Sequence, residues 1–255
     1  MPPSEIRKEA REALVGKWGK ALCIMLVFFA FVLLYETIGE VLKISMPLLY
    51  RVFDILYLVV SIPLGFGLVI SFMKLKRSES VSAVSFFKEG FDHFGKAWGI
   101  YWYTFLKMLL PCLCMFSVII LIIILAVFNM RANVDSLATT LLTSVSVVLY
   151  VLTLVYVASR GFLYVLAFPI AYDNPELPAK ECVKKSETLM KGNRGNYFML
   201  GLSFIGWSIL AVLTLGIGLL WLIPYMQVAI VCFYERIIVN KQKKIDGNAK
   251  LIEEK

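Results

Sequence analysis

The chain has 255 residues, 60% of them apolar, and a mean hydropathy of +0.79, which excludes an ordinary soluble domain. Eighteen Phe, 12 Tyr and five Trp fit a membrane protein with aromatic belts at its interfaces. The net charge of +8 does not point to nucleic acid, because the basic residues are scattered between apolar spans, where loop orientation and anionic lipid account for them.

Ser4–Trp18 reads as an amphipathic helix capped by Ser4, with Pro2 and Pro3 just outside. Ile6, Ala10, Ala13, Leu14 and Trp18 share one face, and the spacing predicts a helix lying on the membrane surface. No cleavable signal is expected, since polar and charged residues precede the first apolar run and no small-x-small site follows it. The first span is expected from Ala21 to about Tyr35 or as far as Gly39, short enough to call for tilt or local thinning, followed by a mixed loop over Glu36–Arg51. The second span, Ile55–Met73, is interrupted by Pro63, Gly65 and Gly67, so neighbouring groups must satisfy the backbone that the proline frees. Ser80–Phe94 is a second surface helix with Val84, Phe87, Phe91 and Phe94 on one stripe, weakened by Gly90.

Two long apolar stretches follow, Ala97–Met130 and Ser136–Tyr172, broken only by Lys107 and Arg160 and joined by the polar Arg131–Asp135. Each would be roughly 50 Å as one helix, against a hydrocarbon core of ~30 Å, so each either protrudes or bends. Asp173-Asn174-Pro175-Glu176 ends the second stretch. Pro178–Gly192 is the third amphipathic helix, with Ala179, Cys182, Val183, Ser186, Leu189 and Met190 on one face. The uncharged run from Gly195 to Tyr234 is about twice the ~20 residues needed to cross once. It reads as a hairpin, Asn196–Leu215 and Leu219–Tyr234, reversing at Gly216 and Gly218.

Twenty-one of the 26 Lys and Arg lie in the N-terminal arm, Lys74–Lys96, Lys180–Arg194 and the C-terminal segment, against three in the intervening loops. By the positive-inside rule both termini are cytoplasmic. The expected fold is an all-α membrane protein of six transmembrane helices in three hairpins, each preceded by a cytoplasmic amphipathic helix. One polytopic domain, 1–255, would hold units 1–77, 78–175 and 176–238 and a mobile basic tail, 239–255. The units share junctions of glycine, a basic residue and an aromatic: Gly16-Lys17-Trp18, Gly95-Lys96-Ala97-Trp98 and Gly192-Asn193-Arg194-Gly195-Asn196-Tyr197. Ile62-Pro63 and Ile223-Pro224 are each followed nine residues after the proline by Phe72 and Phe233.

The opening SEIRKEAREALVGKWGKA, the DNPEL turn at Asp173–Leu177, KKSETLMKG, SFIGW at Ser203–Trp207, and LTLGIGLLWLIPY leading to Phe233-Tyr234-Glu235 together resemble a bacterial integral-membrane family known as domain of unknown function 975. Arg160 and Tyr164 before the DNP turn also match it, whereas the second hairpin is longer and a usual proline-glycine pair upstream of Arg160 is absent. The resemblance implies a multi-pass protein of the bacterial cytoplasmic membrane and no known activity. Its motif residues here are Asp173, Asn174, Pro175, Trp207, Gly216, Gly218, Pro224, Tyr225 and Glu235.

No catalytic triad, carboxylate pair, phosphate-binding loop or metal cluster is apparent, and no cofactor is expected. Cys23, Cys112, Cys114 and Cys232 lie in apolar spans and Cys182 on a surface helix, none with zinc-ligand spacing. Cys182 and the single histidine, His93, lie outside the spans, which argues against an intramembrane hydrolase. Gly95–Gly99 is a GxxxG at a span entrance, read as a junction rather than a dimerisation face. Asp173 and Glu235 read as interfacial caps or ion-pair partners. Two non-enzymatic classes remain. One is a scaffold or accessory subunit with a membrane-protein partner or a second copy. The other is a small carrier or lipid-handling protein with an anionic lipid or solute between hairpins. For the second, Lys107, Arg160 and Tyr164 are the candidate anion contacts, their counter-ion having to come from another hairpin. Snorkelling of Lys107 and Arg160 to the interface is the simpler reading, since it needs no unseen ligand. The sparse polar content of the spans favours the scaffold.

Overall fold

The structure is a computed structural model that describes residues 2–132 and 137–253, with side chains for 2–128 and 140–243. The polar connection at Asn133 and Asp135 lies outside the described residues. Among those described there are eleven α-helices, one short 3-10 segment and no strand. Six stretches are long and apolar enough to cross a membrane: Trp18–Ser45, Pro47–Lys76, Phe94–Phe128, Thr140–Asp173, Arg194–Leu213 and Leu219–Lys243.

Helix α1 (Pro3–Leu14) starts one residue earlier than its sequence signal. Pro2 takes the cap position and Pro3 the first turn, where a missing N–H costs nothing, so Ser4 lies inside and caps nothing. It ends at Leu14 because Gly16 adopts φ +73°, a left-handed turn that frees Trp18 to open the next helix. Ile6, Ala10 and Leu14 are fully buried, and they are covered by protein, since α1 packs on the last helix. This corrects the expectation that its apolar face lies open to the membrane.

Helices α2 (Trp18–Ser45, 28 residues) and α3 (Pro47–Lys76, 30 residues) replace the expected short span and loop. Glu36–Arg51 is helical apart from Met46, and Gly39 against Tyr50 with Tyr35 against Asp54 makes the pair antiparallel. Pro63 does not break α3. The carbonyl it orphans four residues back, on Val59, accepts the Trp98 indole N–H at 3.0 Å.

Helix α4 (Ser85–Asp92) presents Phe86, Glu89 and Gly90 to α3, while Val84, Phe91 and Phe94 are exposed. Of the expected stripe, these three face away from the protein, while Phe87 is half-buried with its ring against Phe31. Two glycines chose the other face: a Cβ on Gly67 would overlap the Phe86 carbonyl, and one on Gly90 would lie 2.5 Å from the Pro63 carbonyl. The backbones meet where neither helix has a side chain.

Helix α5 (Phe94–Ala132) runs unbroken for 39 residues, and α6 (Leu137–Gly161) packs along it. The second long stretch bends just after Arg160: Phe162–Tyr164 is a 3-10 turn and α7 (Ala167–Asp173) follows. The Leu163 carbonyl at the bend accepts the Ser186 hydroxyl of α8 (Ala179–Met190) at 2.6 Å. The last apolar run breaks once more, into α9 (Arg194–Leu202) and α10 (Ile205–Leu213), and the Ser203 carbonyl at that break accepts Arg7 Nη1 at 3.1 Å. Helix α11 (Leu219–Glu253) passes through Pro224 and continues well beyond Glu235, so the stretch read as a tail has helical backbone through Glu253.

Packing is unequal along the molecule. The fully buried side chains cluster at the basic end: Ile6, Leu14, Phe66, Phe72, Phe86, Phe233 and Tyr234. Around this core each short helix rests on the returning span of the preceding segment. Helix α4 lies on α3, α8 on the 3-10 turn and α7, and α1 on α11, which closes a ring of three.

Candidate functional site

At the basic end, the C-terminus of α3 delivers Lys76 and Arg77 into carboxylates from three other helices. Arg77 grips Asp173 of α7 with two parallel bonds, Nη1–Oδ1 at 2.7 Å and Nη2–Oδ2 at 3.0 Å, and its Nε donates to Glu235 of α11 at 3.1 Å. Lys76 pairs with Glu235 and, at 3.2 Å, with Glu9 of α1. Arg236 completes the cluster on Glu9 at 2.7 Å and Glu5 at 2.8 Å, and the Tyr234 hydroxyl donates to Asp173 at 2.9 Å. Bidentate Arg–carboxylate geometry is the stronger kind of ion pair. Asp173 and Glu235 are thus structural ion-pair partners. Burial works to raise the Glu9 carboxyl, but the hydrogen bonds from Arg236 and Lys76 outweigh it and hold it below its usual range. The bond to Asp173 pushes the Arg77 guanidinium up.

The junction lysines do one job twice. Lys17 Nζ donates to the Leu75 and Lys76 carbonyls at the end of α3, at 2.9 and 3.2 Å. Lys96 Nζ donates to the Ala171, Asn174 and Pro175 carbonyls at the end of α7, at 2.9, 2.8 and 2.9 Å. A cation at a helix C-terminus satisfies orphan carbonyls and complements the dipole. Asn174 adds its own side-chain bond to the Ile170 carbonyl and accepts Lys185 at 2.9 Å. Pro175 serves through its carbonyl.

Lys107 Nζ lies 2.6 Å from Glu187 Oε2, and the Tyr164 hydroxyl donates to Glu187 Oε1 at 3.3 Å. The counter-ion comes from α8, the surface helix of the following segment. Burial tends to raise the Glu187 carboxyl, and Lys107 more than reverses this, holding it low. Arg160 contributes its positive charge to the same cluster, with its Nε buried and without a partner. Lys107, Arg160 and Tyr164 are brought together as the sequence pairs them, but around a protein carboxylate.

The remaining motif residues shape the last turn. Gly216 takes φ +85°, next to Leu215 at +55°, and a Cβ on Gly218 would lie 2.7 Å from Ala211 Cα. Pro224 lies within α11, and the Tyr225 hydroxyl donates to the Arg7 carbonyl at 3.1 Å, fastening α1 to α11. Trp207 is exposed on α10. Gly99 meets Ala179 of α8 within the chain, whereas nothing faces Gly95. Cys182 is buried, and burial pushes its thiol up, away from thiolate formation. His93 Nδ1 is 3.0 Å from the Glu89 carbonyl, and its ring packs on Phe66.

Sequence reasoning missed Glu5, Glu9, Glu187, Lys76 and Arg77 as partners, because the pairs lie far apart in the chain. Lys17 and Lys96 carried a signal, since both sit in the repeated glycine-basic-aromatic junction.

Six apolar helices, tied at one end by a buried core and a connected series of ion pairs, define a multi-pass helical membrane protein. The chain belongs to the family described as "Protein of unknown function (DUF975)", which it matches over residues 1–241. No curated protein and no solved structure shows significant similarity to it.

Proposed function

We propose that the chain acts without covalent chemistry, as a scaffold or accessory subunit of a complex in the bacterial cytoplasmic membrane, with its ion-paired end and both termini cytoplasmic. The observation that carries this is the unequal packing of its spans. In α3 and α11, 44% and 50% of the most apolar window is buried, against 6% in the windows of α5 and of the α6–α7 span. Helix α6 packs chiefly on α5, which also lies on α8 and α3, and the two hold apolar side chains such as Phe116, Ile123, Val148 and Leu152 outward. A closely packed base with a long two-helix arm suits docking another membrane helix, whose packing would rest on van der Waals contact rather than on polar chemistry. Cys182 and His93, the nearest candidates for a nucleophile and a base, have structural positions in the core and at the α3–α4 contact.

The test is photo-crosslinking in native membranes, with a photoreactive residue at Phe116 or Val148 of the full chain and a control at buried Phe72. A discrete protein adduct from the arm positions, identified by mass spectrometry as a partner or a second copy, is expected. Lipid adducts alone at both arm positions would refute the scaffold reading. The alternative, a carrier with its anion at Lys107 and Arg160, is weakened by Glu187, which already answers the Lys107 charge.

A further inference from the structure

A cleft of about 560 Å³ lies between α1, the start of α2, and the α10–α11 pair. Its walls are mostly apolar and include Leu210, Trp207 and Trp221, with Trp18 beside them, so three of the chain's five tryptophans meet here. Tryptophan favours the level where lipid headgroup gives way to acyl chain.

The charges of α1 are sorted by face. Glu5 and Glu9 turn to Arg236 and Lys76, and Glu12 pairs with Lys8 at 3.9 Å. Arg7 and Arg11, one turn apart, line the cleft instead. Arg7 spends Nη1 on the Ser203 carbonyl, its Nε is buried with no partner, and no carboxylate pairs with either arginine among the described residues. The buried, unsatisfied donor of Arg7, with the exposed Arg11 guanidinium one turn away and an apolar wall beside both, suits an anion that brings its own apolar body. A free inorganic anion would leave the tryptophan-leucine wall uncovered.

We propose that this cleft binds one anionic phospholipid drawn from the bilayer, its phosphate on Arg7 and Arg11 and an acyl chain along Trp207, Leu210 and Trp221. The site is separate from the Lys107–Glu187 cluster, and it stands whether or not α5 and α6 dock a partner.

The full-length protein, equilibrated in nanodiscs of equal parts phosphatidylglycerol and phosphatidylcholine, is released and its retained lipid identified by native mass spectrometry. Wild type is expected to retain phosphatidylglycerol in preference to phosphatidylcholine. The double variant Arg7→Gln/Arg11→Gln should retain about tenfold less or lower, the worth of charge-assisted bonds to phosphate. Lys8→Gln, on the same helix but outside the cleft, should match wild type. Leu210→Trp fills the apolar wall at a half-exposed position, leaves both arginines in place, and should also lose the lipid. If the double variant unfolds, Leu210→Trp decides alone. Equal retention of the two lipids by wild type, wild-type retention by Leu210→Trp, or equal loss from Lys8→Gln would each overturn the site.

Discussion

Single residues here matter by what they leave out as much as by what they add. Gly67 and Gly90 let α3 and α4 touch backbone to backbone, so Gly67→Ala forces a Cβ into the Phe86 carbonyl. Overpacking of that kind costs about 1–3 kcal/mol, and the variant should unfold at lower temperature in detergent. Gly95→Ala, with open space around it, should be neutral or gain up to about 1 kcal/mol from helix propensity, so equal effects of the two would remove the case for close approach. Charged residues give a pH dependence of known sign. Glu9 and Glu187 both titrate below the ordinary 4.5 when folded. Their stabilisation is therefore full above that value and fades as pH falls through the lower folded values. Glu187→Gln should flatten part of this acid limb in thermal melts, because it removes one of the two groups.

At the scale of elements, Leu14→Asp tests how α1 is held. Leu14 is fully buried against protein, where losing a leucine costs about 2–5 kcal/mol before any charge is buried. Helix α1 should come away from α11, and limited proteolysis should then cut at Val15–Gly16 in the variant and not in wild type; equal resistance would mean that α1 is held chiefly by its ion pairs. The spans were legible because long uncharged runs have one economical solution in lipid. The apolar faces of α1 and α8 were legible too, since Ile6, Ala10 and Leu14, and Cys182, Val183, Ser186, Leu189 and Met190, repeat at helical spacing, but that protein rather than lipid covers the face of α1 was not. The face that α4 turns to α3 was not, because glycines select it and glycine carries no hydrophobic signal. Glu36–Arg51 read as a loop because its charges interrupt the apolar run, yet helices that outlast the bilayer carry such charges at no penalty. The partners of Asp173, Glu235 and Lys107 could not be read at all: nothing in Lys107 marks a carboxylate on a helix 80 residues away.

For the whole molecule, orientation is the first expectation to check. Reporter fusions at Ser80 and Lys185 should lie on the cytoplasmic side and those at Glu40 and Ile217 on the other, from the 21-to-3 bias in Lys and Arg. An inverted result at Lys185 would overturn both the orientation and the number of crossings. The ring formed by α1 on α11, α4 on α3 and α8 on α7 also has a consequence in time. Helices α4 and α8 follow their seats in the chain and can settle as soon as they leave the ribosome. Helix α1 precedes the helix that seats it by most of the chain. Until α11 is made, α1 has no protein surface on which to bury its apolar face. A chain cut before α11 would therefore leave Ile6, Ala10 and Leu14 without the surface that covers them in the finished fold.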